Sequence, residues 1–349
     1  MNFKNQNTLE FRVKKYDDIS KKLKSINHEN LLNLLKNGTK LGEGYGTTFI
    51  LDIDSTNVFA KQIPLTEFEN RPENRQSTVN LFNLPDFYQY GVGSSGFSAW
   101  RELITQSKVN DWVINGECEN FPLMYESRIL PIIKKKKLST FEIEKYIEYW
   151  GGSYAISDKI IATQKTNTSI TLFIEYIPDT LDKWIEKQFQ YGSEAAVKAI
   201  EIIEGSLDST IQFMKKKGML HFDTYLNNLL TDGQRLYFCD FGLTISSEYN
   251  LSKEELNFFN KHQNHDLSTA LWSLLSKVLN MHYTSETKSI KIEEKEILEF
   301  VERNLPVYIK MQKFFKDLRA DKSKSVKYPS DFLEEFFSKR KSIKGKIYK

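Results

Sequence analysis

The chain has 349 residues, of which 40% are hydrophobic and 13% aromatic, and this composition indicates a folded protein and excludes a disordered one. Its net charge of +3 provides no overall field that would favour nucleic acid or a membrane surface. Two cysteines cannot form a disulfide framework and fit a reducing compartment. The first residues lack the apolar core of a signal peptide, and no run of about 18 apolar residues follows, so we expect a cytoplasmic protein.

The first 38 residues are expected to form a helical extension ahead of the main domain. Leucine and isoleucine recur among charged residues from 10 to 36 with the spacing of one or two amphipathic helices. A strand–turn–strand pattern follows at 40–51, and a third strand is predicted at 58–63. The turn at 42–46 is rich in glycine, which lets a backbone approach phosphates that a Cβ would keep away.

The rest of the chain begins with a long irregular insertion and then becomes mainly helical. Asn, Pro and Gly are frequent from 64 to 97, which is typical of a loop, and we expect this segment to loop away from the main domain. The later elements are predicted as a helix at 98–113, a strand at 121–133, a helix at 140–150, a strand at 169–177, helices at about 180–189 and 193–217, a charged helix between Ser252 and His262, helices at 264–281, 293–316 and 330–338, and a basic tail at 339–349.

Two short stretches near the middle carry the chemistry. Asp223 is followed five positions later by Asn228, and Asp240-Phe241-Gly242 comes shortly after them. Phosphoryl transfer from ATP requires a carboxylate that accepts the proton of the attacking hydroxyl, together with an amide and a second carboxylate that hold metal ions. Between the two stretches, apolar runs flank Asp232-Gly233, which predicts a β-hairpin that brings Asn228 and Asp240 together.

These motifs, with a sheet-rich first half and a helical second half, resemble the protein kinase superfamily over roughly residues 39–285. The resemblance implies an α+β, bilobal, protein-kinase-like fold. Its antiparallel-sheet N-lobe would cover 39–177, with an insertion at about 64–97, and its mainly helical C-lobe would cover 178–338. ATP and Mg²⁺ are the cofactors that such a fold implies.

The resemblance also implies roles for the residues of the two stretches. Asp223 would orient and deprotonate the acceptor hydroxyl, and Asn228 and Asp240 would bind Mg²⁺. Lys61, in the third strand, matches the lysine that pairs with the α- and β-phosphates and completes the catalytic set. His221 is expected to pack and hydrogen-bond within the catalytic loop.

The remaining implied residues would bind the nucleotide. Glu102 on the helix after the insertion is the best ion-pair partner for Lys61, and Glu117 and Glu119 stay open as alternatives. The strand that ends at Pro178 resembles the kinase hinge, where backbone groups would hydrogen-bond adenine. The full nucleotide-binding set is Gly42, Gly44 and Gly46 over the phosphates, Lys61, Glu102, and the backbone of Glu175 and Ile177.

Several positions depart from the kinase pattern. The glycine turn is one residue shorter than G-x-G-x-x-G, and Phe222 replaces the arginine that commonly pairs with a phosphorylated activation loop. Tyr225 stands where Ser/Thr kinases usually place a lysine, and no Ala-Pro-Glu follows Gly242. Asp266 resembles the buried aspartate that braces the catalytic loop in kinases, and it could equally cap a helix.

Three functions are compatible with this pattern. The leading interpretation is a divergent protein kinase that phosphorylates protein hydroxyls, with Ser and Thr favoured. The second is a small-molecule kinase similar to aminoglycoside and choline phosphotransferases, because the peptide-docking motif is missing. The third is a pseudokinase that binds nucleotide without turnover. The expected partners are a protein substrate or a small-molecule acceptor, with neither nucleic acid nor membrane involved.

Overall fold

The structure, a computed structural model, describes residues 8–43, 46–91, 93–133, 137–283 and 294–347. The chain divides into two units. The first is formed by Met1–Ile177 together with Cys239–Thr244, and the second by Pro178–Phe238 together with Ile245–Lys349. The α+β class predicted from the sequence is confirmed, because the first unit contains a five-stranded antiparallel sheet and most of the remainder is helical.

The sheet of the first unit has the strand order β1-β2-β3-β5-β4, and every neighbouring pair is antiparallel. The third strand pairs with the fifth, so Lys61 lies opposite Leu172. The elements of this unit are α1 (Leu9–Ser25), α2 (His28–Asn37), β1 (Thr39–Glu43), β2 (Thr47–Ile53), β3 (Thr56–Pro64), α3 (Ala99–Ile114), β4 (Met124–Pro131), α4 (Thr140–Tyr149), α5 (Tyr154–Lys165) and β5 (Thr168–Glu175).

Helices cover both faces of this sheet. Side chains of successive strand residues point to opposite faces, so alternate residues of β3 enter different hydrophobic clusters. Val58 and Ala60 pack with α1 and α2, whereas Phe59 packs with α3. The cluster under α1 and α2 contains Ile19, Leu23, Leu31, Leu35, Phe49, Leu51, Ile53, Val58, Ala60, Tyr125, Leu130 and Phe173. The predicted N-terminal helices are therefore part of the core of the first unit.

The insertion at 64–97 differs from the prediction that it loops away. In its described residues it contains two short 3₁₀ turns, Pro72–Asn74 and Asp86–Tyr90, and it packs against the rest of the unit. Glu69 is fully buried and its carboxylate accepts a hydrogen bond from the amide of Ala99, at the start of α3. The expectation was wrong because the irregular backbone is held by buried polar contacts, which leave no periodic signal in the sequence.

The second unit contains the predicted hairpin. Strands β8 (Leu229–Thr231) and β9 (Leu236–Phe238) pair antiparallel, and β6 (Asp179–Thr180) joins them as a third strand. At the turn, Asp232 accepts hydrogen bonds from the amides of Gln234 and Arg235. The remaining elements are α6 (Leu181–Gln190), α7 (Ser193–Lys216), β7 (Met219–Leu220), β10 (Ile245–Ser246), α8 (Lys253–Lys261), α9 (His265–Tyr283), α10 (Lys295–Ala320) and α11 (Ser330–Ile347).

Two helix predictions need correction. Helix α5 (Tyr154–Lys165) was not predicted, although Ser153 caps it by accepting a hydrogen bond from the amide of Ile156. Helix α11 continues to Ile347, beyond the predicted end at 338, because no proline or glycine cap interrupts it there. In the described part of the chain, none of the helices combines the length and apolar character needed to cross a lipid bilayer.

Candidate functional site

A partly buried lysine in the first unit is joined to two carboxylates. Lys61 on β3 donates from Nζ to Oε1 of Glu102 at 2.6 Å and to Oδ1 of Asp240 at 2.8 Å. The three residues are far apart in the chain. Glu102 follows Lys61 by 41 residues, and Asp240 follows Lys61 by 179 residues. The fold thus brings three of the predicted site residues into one ion-pair network.

Each member of this network is positioned by a different element. Lys61 is fixed by its place in the middle of the sheet, opposite Thr48 of β2 and Leu172 of β5. Glu102 lies in the first turn of α3, a helix capped by Ser98, and Glu117 and Glu119 lie beyond its end. Asp240 has a left-handed backbone (φ 64°, ψ 73°), which is uncommon for a residue other than glycine.

The charges in this network perturb one another. Burial opposes the ammonium charge of Lys61, but the carboxylates of Asp240 and Glu102 outweigh it and raise the lysine pKa above its usual value. Burial also raises the pKa of Glu102, the charge of Asp240 adds to this rise, and Lys61 counteracts it. Glu102 is 8% exposed and Asp240 is 44% exposed, so Asp240 is the carboxylate of the pair that can meet a ligand.

Gly46, the last glycine of the predicted phosphate-binding set, lies beside Lys61. A Cβ added to Gly46 would lie 2.5 Å from the carbonyl oxygen of Gln62 and 3.8 Å from Cε of Lys61, so only glycine allows the backbone at this position to lie this close to β3. Gly42 belongs to β1 and pairs with Thr48 across a bulge in the ladder. Gly44, the third predicted phosphate-binding glycine, lies outside the described residues.

The end of β5 shows which of the predicted adenine contacts are possible. The amide of Glu175 donates to the carbonyl of Leu123 at 2.7 Å, so only its carbonyl remains for a base. Its buried side chain accepts hydrogen bonds from Arg12 and from the amide of Leu123. Ile177 follows the strand, and its backbone makes no hydrogen bond to another described residue.

The second unit holds the other two predicted catalytic residues on one loop. Asn228 donates from Nδ2 to the carbonyl of Asp223 at 3.1 Å, which fixes the amide with its oxygen on the opposite side. The amide of Asp223 donates to Nδ1 of His221 at 3.2 Å, and His221 is fully buried, as expected for a residue that shapes the loop. Asp223 and Asn228 are both half-buried, so both remain accessible to solvent.

Asp266 braces this loop from the start of α9. Its two carboxylate oxygens accept hydrogen bonds from the amides of His221 at 2.7 Å and Phe222 at 2.8 Å, and its carbonyl accepts one from the hydroxyl of Thr224. Burial opposes the charge, but hydrogen bonds and nearby histidines, His265 first, lower the pKa of Asp266. Because Asp266 is the second residue of α9, it is not the helix cap.

Phe222 occupies the position where an arginine was expected, and it is enclosed by aromatic rings. Its ring stacks on His265 with centroids 4.3 Å apart and on Phe258 at 5.4 Å. Phe222 is fully buried and has a left-handed φ of 64°. The loop conformation is therefore supported by stacking, and no cationic side chain stands at this position to receive a phosphate.

Each unit contains oxygen donors of the hard kind that Mg²⁺ prefers. Asp240, in the first unit, offers a carboxylate, and Asn228, in the second unit, offers an amide oxygen. The ammonium of Lys61, with Gly46 beside it, suits phosphate. Among the described residues, no group of three or more His, Cys, Asp and Glu is arranged to hold a metal ion.

Sequence reasoning missed the residues that hold these groups in place. Arg12, Glu69 and Gln89 are buried polar side chains in segments predicted as an extension and a loop. A buried polar residue in an irregular segment has no sequence pattern, so only its position in the fold reveals it.

No model of a protein family matches this chain, and no curated protein is significantly similar to it.

Proposed function

We propose that this chain is an ATP- and Mg²⁺-dependent phosphotransferase with a bilobal, protein-kinase-like fold, and that its preferred acceptors are Ser and Thr hydroxyls of proteins. The observation that carries the proposal is the pairing of Lys61 with both Glu102 and Asp240. A lysine held by a helix glutamate, with the Asp-Phe-Gly aspartate on the same ammonium, is the arrangement that protein kinases use to hold ATP phosphates and metal.

In this proposal the first unit binds the nucleotide. Lys61 neutralises charge on the phosphates, and Glu102 keeps its ammonium in position. Asp240 binds Mg²⁺ through its exposed carboxylate. The carbonyl of Glu175 and the backbone of Ile177 hydrogen-bond adenine. Magnesium, when bound, neutralises the charge that develops on the transferred phosphoryl group.

The second unit supplies the groups that act on the acceptor. Asp223 orients the acceptor hydroxyl and takes its proton, and Asn228 is the second protein ligand for magnesium. Asp266 and the enclosed Phe222 keep the backbone of this loop in one conformation. Because catalysis then consists of positioning and charge neutralisation, no covalent enzyme intermediate is needed.

A second candidate, a small-molecule kinase, is favoured by the segment that follows Asp240. After β10, residues 247–252 alone connect to α8, and this leaves a short stretch where protein kinases have a peptide-docking segment. Tyr225, at the position of the usual Ser/Thr-kinase lysine, packs against Trp272 and Phe315 with centroids 5.7 and 6.1 Å apart. The lysine that is usual at this position in Ser/Thr kinases is therefore replaced by a packed aromatic residue.

The deciding experiment uses ATP labelled on its γ-phosphate with Mg²⁺ and two sets of acceptors. We expect label on generic protein acceptors or on the chain itself, and no label with Asp223→Asn. Turnover only with aminoglycosides or amino-alcohols would refute the protein-kinase assignment and support the second candidate. If wild type and Asp223→Asn are equally inactive with every acceptor but both are stabilised by ATP, the chain is a pseudokinase.

A further inference from the structure

The insertion at 64–97 contacts the two backbone segments that carry the carboxylate partners of Lys61. One is the first turn of α3, which carries Glu102, and the other is the segment 239–244, which carries Asp240. These contacts all lie within the first unit. The insertion begins directly after β3, the strand that carries Lys61. A single segment thus connects the three elements that supply the ion-pair network.

At α3 the connection is a buried carboxylate. Glu69 accepts hydrogen bonds through Oε1 from the amide of Ala99 at 3.1 Å and from Nζ of Lys159 at 3.0 Å. Through Oε2 it accepts from the amide and the hydroxyl of Thr66, just after β3. The backbone carbonyl of Glu69 accepts a hydrogen bond from Nε1 of Trp100 at 2.8 Å. Since Ala99 opens the turn that contains Glu102, these bonds fix the position of that glutamate relative to β3.

At the Asp-Phe-Gly segment the connection is made by Gln89 and Gly96. Gln89, which is buried, donates from Nε2 to the carbonyl of Leu243. Gly96 has a left-handed φ of +76°, and a Cβ on it would lie 2.5 Å from the carbonyl oxygen of Gly242. The insertion therefore lies directly against the backbone that follows Asp240.

Helices α4 and α5 pack against the insertion. Trp150 is buried among Leu84, Tyr88, Phe97 and Ile156, which form a hydrophobic cluster separate from those on the sheet. Tyr88 also hydrogen-bonds the hydroxyl of Tyr146 on α4 at 2.5 Å. The ammonium of Lys159 on α5 holds Glu69, and its charge lowers the pKa of that carboxylate against the effect of burial. The insertion is consequently part of a packed body.

We propose that this insertion is a built-in positioning element that holds Glu102 and Asp240 on Lys61 without phosphorylation of the chain. Gln89, Gly96 and Glu69 act as positioning residues, since none of them is expected to touch substrate. The side chain at 222, where kinases that are switched by loop phosphorylation have an arginine, is a buried ring that stacks on His265 and cannot bind a phosphate, which agrees with this role. The consequence for catalysis rests on the proposed function, whereas the positioning itself does not.

A pair of glycine variants tests the positioning. Gly96→Ala and Gly152→Ala place a side chain at nearly the same backbone angle, with φ of +76° and +73°, so both carry the same local strain. A Cβ at Gly152 meets nothing within 4 Å, whereas the one at Gly96 meets Gly242. In amide hydrogen exchange of the unphosphorylated protein, we expect residues 239–244 to exchange about tenfold faster in Gly96→Ala than in Gly152→Ala, which corresponds to about 1.4 kcal/mol.

A second pair keeps the test decisive if Gly96→Ala does not fold. Gln89→Met removes the donor to Leu243 with little change in volume. Gln263→Met removes an equivalent bond, from Nε2 to the carbonyl of Phe259, within the second unit. We expect faster exchange at 239–244 only for Gln89→Met. Exchange at 239–244 that equals wild type in both Gly96→Ala and Gln89→Met would overturn the proposal.

Activity measurements then separate the two proposals. If wild type transfers phosphate, we expect Gly96→Ala and Gln89→Met to lower kcat about tenfold at saturating MgATP, while Gly152→Ala and Gln263→Met keep it. Loosened exchange with wild-type kcat would show that the insertion holds the segment without serving catalysis, and it would overturn the proposed consequence for catalysis. If wild type is inactive, the exchange results alone decide whether the insertion holds this segment.

Discussion

Arg12, on the first helix of the chain, forms a forked ion pair with Glu175 at the end of β5. Its Nε and Nη2 atoms lie 3.1 and 2.8 Å from the carboxylate oxygens, and its two Nη groups also donate to the carbonyls of Glu119 and Phe121. Both side chains are buried, at 2% and 8% exposure. The N-terminal helix is therefore tied to the strand whose end is proposed to meet adenine.

Loss of this arginine should destabilise the first unit. Arg12→Ala leaves the carboxylate of Glu175 buried without its partner, and removing one member of a buried pair costs about 3–5 kcal/mol. The measurement is the free energy of unfolding in urea. As a control, Lys22→Ala removes an exposed ion pair between α1 and Asp54, for which we expect a loss below about 1 kcal/mol. Equal losses for the two variants would contradict a structural role for the Arg12 pair.

Replacing Lys61 should weaken nucleotide binding. In Lys61→Met the carboxylates of Glu102 and Asp240 lose the ammonium between them, and ATP loses its phosphate partner. We expect the dissociation constant for ATP, measured calorimetrically, to rise at least about tenfold, equivalent to about 1.4 kcal/mol. Lys108→Met is a suitable control, because the ammonium of Lys108 lies over the Trp112 ring on α3 and is not among the groups proposed to bind the nucleotide. An unchanged affinity in Lys61→Met would rule out its phosphate role.

The brace at Asp266 should be sensitive to a single-atom change. Asp266→Asn replaces one acceptor oxygen by an NH₂ group that faces the amide of His221 or Phe222, so a buried donor loses its partner. Such a loss costs about 1–3 kcal/mol, and we also expect lower kcat because the Asp223 loop loosens. Asp321→Asn, in which a surface carboxylate also accepts two backbone amides, is the control and should leave kcat unchanged. Wild-type stability of Asp266→Asn would refute the brace.

The second unit should lose stability in mild acid. Burial first, and the neighbouring His265 second, lower the pKa of His262 from 6.5 to about 3. The folded chain then keeps this histidine neutral where the unfolded chain binds a proton, so the free energy of unfolding falls as the pH decreases from 6.5 towards 3. A full proton difference corresponds to about 1.4 kcal/mol per pH unit.

The variant His262→Phe should flatten this pH dependence, as measured by urea unfolding at a series of pH values below 6.5. Its ring keeps the stacking on Phe258 and Tyr328 but cannot bind a proton. A slope in His262→Phe that is as steep as in wild type would show that another group causes the acid sensitivity.

How much could be predicted from sequence depended on whether a feature has a repeating pattern. The sheet strands and the long helices follow alternation or helical spacing, so β3, β5 and α7 lie within a few residues of their predicted positions. The hairpin around Asp232-Gly233 was predicted equally well, because an Asp-Gly turn is recognised from adjacent residues alone.

The supports of the site could not be predicted in this way. Glu69 and Gln89 lie in an irregular segment, and their partners are backbone groups distant in the chain. Lys61 and Glu102 could be paired from spacing and family resemblance, but the contact of the same lysine with Asp240 required the fold. Local composition indicated a loop, and the tertiary hydrogen bonds that order it have no local signature.

The most direct test of the account follows the γ-phosphate of ATP by phosphorus NMR in the presence of Mg²⁺ and a protein acceptor. We expect wild type to transfer the phosphate, and Asp240→Ala, which removes an exposed carboxylate, to fold normally and to transfer none. Turnover by Asp240→Ala at the wild-type rate, or no loss of γ-phosphate with wild type and any acceptor, would contradict the account.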